Sequence, residues 1–298
     1  MRSRAGNPRD SHVPEPGFMA PHRTLIILCA LLLATPAVRA DPPRRIVSLN
    51  LCTDQLLMEL VAPERIASIT WLSRSEGDPA LLPMARRLPV NHGGAEEVLA
   101  LQPDLVLAGR FTTGTTRSLL RKVGVPLLEV DPVNDWEGIR RVTRDIAAAV
   151  GETARGEQLL QQMDAELARL ALRRPAVPLR AIGWSGAGDG VPGRDTLFNT
   201  ILEAAGGINL AALPAGNGSF GLEQVLRARP QVLLRGAAYG SKPALRNEIA
   251  RHPALRALPG LMTFEYPEAV FGCGVPRAAH LAVQLADQFR RHGEASKP

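Results

Sequence analysis

Short apolar runs alternate with amphipathic segments along most of the chain. The strongest instance occurs twice, as AEEVLALQPDLVLAG at residues 95–109 and as LEQVLRARPQVLLRG at residues 222–236. In each copy an amphipathic segment with a carboxylate at its start ends before a proline, whose ring disfavours helical backbone in the preceding residue. The apolar run of four to five residues that follows is typical of a parallel strand buried on both faces. One copy in each half therefore predicts two similar α/β lobes.

The first lobe is predicted to span residues 41–150. The segment LCTDQLLMEL, directly after the first apolar run, has leucines at helical spacing and either Thr53 or Asp54 as a candidate N-cap. Strands and helices alternate here in a doubly wound pattern, in which ligands bind beyond the carboxyl ends of the strands. Besides the repeated block, the predicted strands are 45–50, 66–70 and 126–130.

The second lobe is predicted to span residues 175–298 and to repeat the plan. Its apolar runs predict strands at 179–184 and 262–266, on either side of the second repeat copy. Amphipathic segments predict helices at 196–205, 244–252 and 276–290.

Residues 151–174 are predicted to link the lobes. Gly151 follows an amphipathic helix that starts near Asn134, and residues 153–172 contain no proline and a single glycine, Gly156. A helix of that length is about 30 Å long, the width of a small domain. Two interpretations stay open: a single long helix that holds two lobes rigidly around a ligand cleft, or an ordinary surface helix of one larger domain.

The amino terminus reads as an export signal. From Met19 a short basic segment leads to an apolar run, Leu25 to Ala34, and to a small-residue cleavage site ending at Ala40. This run is too short to span a bilayer, which needs about 20 residues. We therefore predict an N-terminal extension and cleaved signal peptide at 1–40, and a periplasmic mature protein.

Charge and motif content exclude several classes of function. The 298 residues carry a formal charge of +6, and loss of residues 1–40, with five arginines and two acidic residues, leaves 30 basic and 27 acidic residues. This net charge of +3, without a basic stripe, argues against a nucleic-acid partner. The sequence contains no zinc-protease, P-loop or paired CxxC motif and no visible nucleophile–base constellation. We therefore predict no catalytic residue, no resident metal and no cofactor.

Two cysteines remain after export, Cys52 and Cys273, and each follows a predicted strand. They are interpreted, in order of preference, as two unrelated buried thiols, as a disulfide across the cleft rim, or as ligands. Sequence alone does not supply the Cα separation on which a disulfide depends.

Glu96 and Glu223 occupy the same position in the two repeat copies. Favourable interaction with a helix N-terminus, roughly 0.3–1 kcal/mol, accounts for either one separately. It does not require them at matched positions. Two symmetric exposed carboxylates suit a two-fold partner that offers a basic residue to each.

These segments carry a family resemblance. RRIVSLNLCTDQLL, the AEEVLALQPDLVLAG block and LEQVLRARPQVLL resemble the substrate-binding proteins of ABC importers for cobalamin, ferric siderophores and haem, over about residues 44–290. The resemblance implies two α/β lobes joined by one long helix and a shallow, rigid cleft for a bulky metal chelate. It also implies a monomer that delivers its cargo to an inner-membrane permease, with Glu96 and Glu223 docking onto permease arginines.

The resemblance leaves the chelate open. Gly109 stands where cobalamin-binding members have a tryptophan, and only Tyr239 and Tyr266 could serve as the axial tyrosine of haem-binding members. Arg110 could pair with the carboxylates of a siderophore or of haem. We rank a corrinoid first, a ferric siderophore second and haem last; the alternative function is a periplasmic enzyme or chelate scaffold without a transport role. The predicted ligand-binding residues are Asn50, Cys52, Trp71, His92, Arg110, Phe111, Trp184, Phe220, Tyr239, Phe271 and Cys273.

Overall fold

Two parallel β-sheets, one in each half of the chain, form the framework. The computed structural model describes residues 41–185, 190–212, 221–237 and 251–295. The first sheet has the strand order β3-β2-β1-β4-β5 and the second has the order β7-β6-β8-β9. Every pairing within them is parallel. The strands are β1 (Ile46–Ser48), β2 (Ile66–Thr70), β3 (Val90–Asn91), β4 (Leu105–Gly109), β5 (Leu127–Val130), β6 (Leu179–Trp184), β7 (Gly207–Asn209), β8 (Val232–Gly236) and β9 (Met262–Tyr266).

Helices cover both sheets. The longest are the three that lie between or after the sheets, and most of the others are short crossover helices. The helices are α1 (Leu51–Leu60), α2 (Leu72–Ser75), α3 (Leu82–Ala85), α4 (Ala95–Ala100), α5 (Gly114–Lys122), α6 (Trp136–Ala149), α7 (Thr153–Ala171), α8 (Leu197–Ala204), α9 (Leu222–Ala228), α10 (Pro253–Arg256), α11 (Glu268–Gly272) and α12 (Ala278–Ala295). The predicted fold class, two doubly wound α/β lobes, is confirmed. Residues 1–40 and the predicted helix at 244–252 lie outside the described residues.

The two repeat copies fold alike. Each forms a short helix and a strand, α4–β4 in the first half and α9–β8 in the second. The residue before the proline adopts left-handed backbone in both, with φ of 47° at Gln102 and 44° at Arg229. The proline therefore ends the helix as the sequence predicts, and the chain turns into the strand through a conformation that is uncommon for residues other than glycine.

An arginine at the start of the neighbouring strand, β1 or β6, holds each repeat copy in place. Arg45 donates hydrogen bonds through its guanidinium to the carbonyl of Leu101 at the end of α4, and Arg180 donates in the same way to the carbonyl of Ala228 at the end of α9. These cations compensate the negative carbonyl ends of the two helices. The amino-terminal edges of the two sheets are thus built from the same parts.

Alternate residues of the repeated strands face different cores. Val106 and Leu233, at matched positions, pack into two separate outer cores, one behind each sheet. Their neighbours Leu107 and Leu234 face a single inner core that runs through both halves of the chain. Side chains at matched positions of the two copies thus face equivalent cores, so the two copies correspond residue by residue.

The connection between the sheets consists of two helices. Asp135 caps α6 by accepting a hydrogen bond from the backbone N–H of Gly138, and Gly151, with φ of 76°, makes the turn into α7. Helix α7 packs against α6 and α12 and contributes Leu160 and Met163 to the inner core. The boundaries 41–150, 151–174 and 175–298 remain predictions, because one continuous core runs through all three segments.

The N-cap predicted for α1 is wrong. Asn50, not Thr53 or Asp54, accepts the capping hydrogen bond, from the backbone N–H of Cys52 at 2.9 Å. The first strand ends at Ser48, so Asn50 lies outside it and is free to adopt extended capping geometry. Thr53 and Asp54 both lie inside the helix and are buried.

Candidate ligand-binding cleft

The carboxyl ends of the strands line three cavities, each with walls from both halves of the chain. The first cavity, of about 490 Å³, adjoins the ends of β1, β4 and β5. The second, of about 630 Å³, adjoins the ends of β5, β6 and β9, and the third, of about 530 Å³, adjoins the loop after β2 and the end of β9. Because helix α11 contributes to all three, they form one cleft between the sheets, where an open α/β sheet places its ligand site.

The first cavity brings together four of the predicted ligand residues. Asn50 and Cys52 come from the start of α1, and Arg110 and Phe111 come from the segment after β4. Phe111 is 83% exposed, so its side chain is available to a ligand in this cavity. The remaining walls are Thr53, Leu56, Gly109, Val130, Asp131, Pro132, Val133, Val142, Gly272 and Gly274.

The second cavity has an aromatic wall. Phe271, a predicted ligand residue, packs against Phe198 and Tyr266, with ring centroids 5.8 Å and 4.8 Å away. Tyr266 is 5% exposed, and burial raises the pKa of its phenol well above its usual range, helped by the nearby Glu268. The phenol therefore stays protonated, which does not suit an anionic axial ligand to haem iron.

Trp71 and His92 form a stacked pair beside these cavities. They follow the adjacent strands β2 and β3, and their ring centroids are 6.3 Å apart with an interplanar angle of 22°. The His92 ring nitrogen Nδ1 lies 3.5 Å from Glu97, whose carboxylate also accepts a hydrogen bond from the His92 backbone N–H. The structure brings these two predicted residues together at the sheet edge, but neither lines the three described cavities.

Of the remaining predicted ligand residues, Trp184 is not brought into the cleft. Trp184 is 5% exposed and packs with Ile182 and Leu233 in the outer core of the second half. The aromatic residue at the end of β6 therefore belongs to the hydrophobic core and not to the ligand site. Phe220 and Tyr239 lie outside the described residues.

The two cysteines form a disulfide, so the preferred interpretation as unrelated thiols is wrong. Cys52 in α1 and Cys273 after α11 are 221 residues apart in sequence, with Cα atoms 4.9 Å apart. The bond joins the two halves of the chain, and its Cys52 end lines the first cavity. Because both sulfurs are bonded to each other, they cannot act as thiolate ligands.

One face of α1 makes two more contacts with the second half. The carboxamide of Gln55 donates a hydrogen bond to the backbone carbonyl of Ala269 at 3.1 Å. Glu59 lies 3.7 Å from the guanidinium of Arg277, which also lies 2.8 Å from Asp78. Cys52, Gln55 and Glu59 are spaced three and four residues apart, which puts them on one side of the helix. We call this set of contacts the α1 seam.

Two carboxyl groups of α1 are buried. Burial raises the pKa of Asp54 to about 7, although Ser73 and both the N–H and the hydroxyl of Thr70 donate hydrogen bonds to it. Burial also raises the pKa of Glu59 to about 7, against the opposing charge of Arg277. Asp54 ties α1 to β2 and is a structural group, whereas Glu59 belongs to the α1 seam.

Glu96 and Glu223 lie in the first turns of α4 and α9, and both are exposed. Each follows a glycine N-cap, Gly94 or Gly221, at the matched position of the repeat. Neither carboxylate lines the three cavities. They remain candidates for contact with a partner and not with the ligand.

Several cleft residues were not predicted from the sequence. Asp131, at the end of β5, and Glu268, in α11, line the cleft, and Gln55 and Arg277 hold it together. Asp131 could have been predicted from the sequence, because it directly follows the predicted strand at 126–130. Glu268 and Arg277 required knowledge of how the second half packs on α1.

Metal and membrane signals are absent from the described ranges. No cluster of three or more histidine, cysteine, aspartate or glutamate residues there could hold a metal ion. None of the helices at 41–185, 190–212, 221–237 and 251–295 combines the length and apolar character of a membrane span.

Comparison with known proteins agrees with this architecture. The chain is 29% identical over 181 residues to a cobalamin-binding protein of Halobacterium salinarum; this covers 57% of this chain and 47% of that one, so the chain spans about half the length of the curated relatives it matches. The periplasmic heme-binding protein RhuT from Roseiflexus sp. RS-1 superposes with a TM-score of 0.67 at 26% identity, over 84% of this chain and 98% of that chain. The periplasmic vitamin B12 binding protein BtuF of Vibrio cholerae shares the fold, with a TM-score of 0.61 at 17% identity, over 85% of this chain and 98% of that chain.

Family membership follows from a longer match. The model of the periplasmic binding protein family matches residues 46–261, which is most of the chain and includes both repeat copies. Proteins of this family are periplasmic binding proteins, and the two similar structures are named for the heme and the vitamin B12 that they bind. The chain therefore belongs to the periplasmic binding protein family.

Proposed function

We propose that the chain is the exported solute-binding component of an ABC importer, which captures a bulky metal chelate in the cleft and delivers it to an inner-membrane permease. The observation that carries this proposal is the set of three adjoining cavities at the carboxyl ends of the strands, walled by both halves of the chain. Together they offer a mainly apolar and partly aromatic surface, of a size that suits a large ligand better than a small ion.

A corrinoid is the preferred cargo, ahead of a ferric siderophore and of haem. The relative in Halobacterium salinarum is a cobalamin-binding protein, which supports the corrinoid. The similar structures include heme-binding proteins as well, so the fold alone does not separate these ligands. Within the described residues the one tyrosine, Tyr266, is buried with a raised pKa, which argues against haem held by tyrosine.

The cleft acts as a preformed site. The α1 seam joins the two halves by a covalent bond, a buried hydrogen bond and an ion pair. The inner core continues through α6 and α7 from one sheet to the other. A ligand that enters such a site meets walls already in position, and little ordering free energy is lost on binding.

Delivery requires contact with the permease, for which Glu96 and Glu223 are the proposed docking residues. Both are exposed and occupy matched positions in the two halves, as a receptor made of two similar subunits would require. Residues 1–40 act as the export segment, and the mature chain works in the periplasm as a monomer.

The visible spectrum of protein purified from its native periplasm tests the class of ligand directly. A bound corrinoid, haem or ferric chelate each absorbs distinctively, and the expected spectrum is that of a corrinoid. Apo protein is then titrated with cyanocobalamin, haemin and ferric citrate while its melting temperature is followed. Binding to the native state raises the melting temperature, and the shift grows with the logarithm of the ligand concentration once that concentration exceeds Kd. A protein without bound chromophore that none of the three ligands stabilises would contradict the proposal.

A further inference from the structure

The carboxamide of Asn50 is held in one orientation at the wall of the first cavity. Its Oδ1 accepts the capping hydrogen bond from the backbone N–H of Cys52, so its NH₂ group must point away from α1. That NH₂ group lies over Gly109, where a Cβ atom would be 2.8 Å from Nδ2 and from Cγ. No residue in the described part of the chain accepts a hydrogen bond from Nδ2. A side chain at position 109 would displace this carboxamide.

Arg110 and Asp131 continue a polar row along the sheet edge. The register pairs Gly109 of β4 with Val130 of β5, so Arg110 and Asp131 leave neighbouring strands side by side, about 4.8 Å apart. Both are exposed cavity residues, and neither side chain forms an ion pair with another described residue. The ends of β1, β4 and β5 therefore present an amide donor, a cationic donor and a carboxylate acceptor, in that order.

The rest of the first cavity is apolar. Phe111, Leu56 and Val133 line it beside the polar row. A ligand that fits has an apolar body and an arm that carries both an acceptor and a donor. A carboxamide has both groups, whereas a carboxylate arm would bond to Asn50 and Arg110 but be repelled by Asp131.

We infer that Asn50, Arg110 and Asp131 form a subsite that reads a carboxamide arm of the ligand, with the ligand carbonyl on Asn50 and Arg110 and its NH₂ group on Asp131. We call it the carboxamide subsite. It rests on the proposed function, because it assigns one end of the same cleft. The absence of a side chain at Gly109 is then a requirement of ligand specificity, because it leaves room for the Asn50 carboxamide.

A matched pair of ligands tests the role of Asp131. The probes are cyanocobalamin, with carboxamide arms, and the same corrinoid after partial hydrolysis of those arms to carboxylates. Wild-type protein should bind the amide form at least tenfold more tightly by titration calorimetry. Asp131→Asn should reduce that preference by roughly tenfold, because the repulsion of the carboxylate arm is removed. An unchanged preference in this variant contradicts the assignment of Asp131.

Two variants test Asn50, and the first of them keeps the helix cap. Asn50→Ser keeps a capping oxygen but removes the NH₂ group, and should weaken cyanocobalamin binding by roughly three- to tenfold. Gly109→Ala should weaken it to a similar degree by displacing the Asn50 carboxamide. In the Asn50→Ser background the same Gly109→Ala change should have little further effect, since the group it displaces is gone. Unchanged melting temperatures of the apo variants show that the fold is retained.

The outcomes separate this inference from the proposed function. If neither corrinoid, haemin nor ferric citrate binds the wild-type protein, the proposed function and the subsite both fail. If one of them binds and its affinity is the same in Asn50→Ser, Gly109→Ala and Asp131→Asn, the proposed function stands and the carboxamide subsite is refuted. Additive effects of Asn50→Ser and Gly109→Ala would also refute the proposed role of Gly109.

Discussion

The two lobes are alike at the amino-terminal edges of their sheets and different at the carboxyl-terminal edges. At the amino-terminal edges Arg45 and Arg180 make the same contacts with the ends of α4 and α9. At the opposite edges the repeat ends in Gly109 or Gly236, and the space of the missing side chain is taken by Asn50 in one lobe and by Glu268 in the other. The parts that repeat at the amino-terminal edges therefore hold the framework together, whereas the parts that differ face the cleft.

The largest expected effect is on ligand uptake, and it concerns the exposed glutamates Glu96 and Glu223 that the two lobes share. Changing Glu96 and Glu223 together to Ala should abolish uptake of labelled cyanocobalamin by cells that depend on this protein, because both permease contacts are lost. Affinity for the ligand, measured by calorimetry, should stay unchanged, since neither residue lines the cleft.

Glu64→Ala is the matched control for this experiment. Glu64 is exposed as well but precedes β2, at the amino-terminal edge of the first sheet. Its loss should affect neither uptake nor affinity. Normal uptake by the double variant, or a loss of affinity in it, would contradict the docking assignment.

The disulfide between Cys52 and Cys273 joins the two lobes covalently, and its loss should lower stability. Replacing Cys52 and Cys273 by Ser should reduce the free energy of unfolding by up to about 5 kcal/mol, because the bond closes a very long loop in the unfolded chain. Urea unfolding of the variant, and of wild-type protein with and without reductant, measures the effect. Single Cys→Ser variants are avoided because they leave a free thiol. Equal stability of the oxidised and reduced proteins would show that the seam holds without the bond.

The buried carboxyl groups of Asp54 and Glu59 in α1 make the free energy of unfolding depend on pH. The folded pKa values of Asp54 and Glu59, about 7, exceed the ordinary values of 3.8 and 4.5. Their contribution to stability is therefore greatest below about pH 4, falls as the unfolded chain ionises, and is constant again above about pH 7. The difference between wild type and Asp54→Asn should change by a few kcal/mol between pH 4 and pH 7.

Urea unfolding across this pH range measures that difference, and Glu59→Gln should give a similar trend. The comparison with each variant is needed because other carboxylates act in the opposite direction: Arg117 and Arg121 hold the pKa of Glu129 below its usual value. A constant difference between wild type and both variants would show that the two groups remain ionised in the folded protein.

The smallest expected effect lies in the repeated turn. Gln102→Gly and Arg229→Gly should each stabilise the protein by a few tenths of a kcal/mol, up to about 1, because glycine adopts positive φ without strain but loses more entropy on folding. Thermal unfolding of the two variants compares the lobes directly. Stabilisation in only one of them would show that the two turns are under different strain.

Much of the framework could be predicted from the sequence, because local patterns determine it. The strands Ile66–Thr70, Leu179–Trp184 and Met262–Tyr266 lie where bounded apolar runs were found. The limits of the pattern are visible at Asn50, which reads as the end of the first apolar run but leaves the strand to cap α1.

The site was predicted only in part, because it depends on contacts distant in sequence. Asn50, Arg110 and Phe111 lie at or just after the ends of predicted strands, and all three line the first cavity. Trp184 satisfies the same rule and is nevertheless buried in a core, since its side chain faces the layer behind the sheet. The pairing of Cys52 with Cys273 depends on a Cα separation that only the packed structure supplies.

The attachments of α1 lie along a line. Helix α1 has ten residues and is therefore about 15 Å long, and its contacts through Cys52, Gln55 and Glu59 extend over about 10 Å of it. Because these attachments are spread along one helix, they prevent the two halves of the chain from sliding past each other or separating. Together with the inner core that runs through α6 and α7, they also resist rotation of one half against the other, so the cleft keeps its shape.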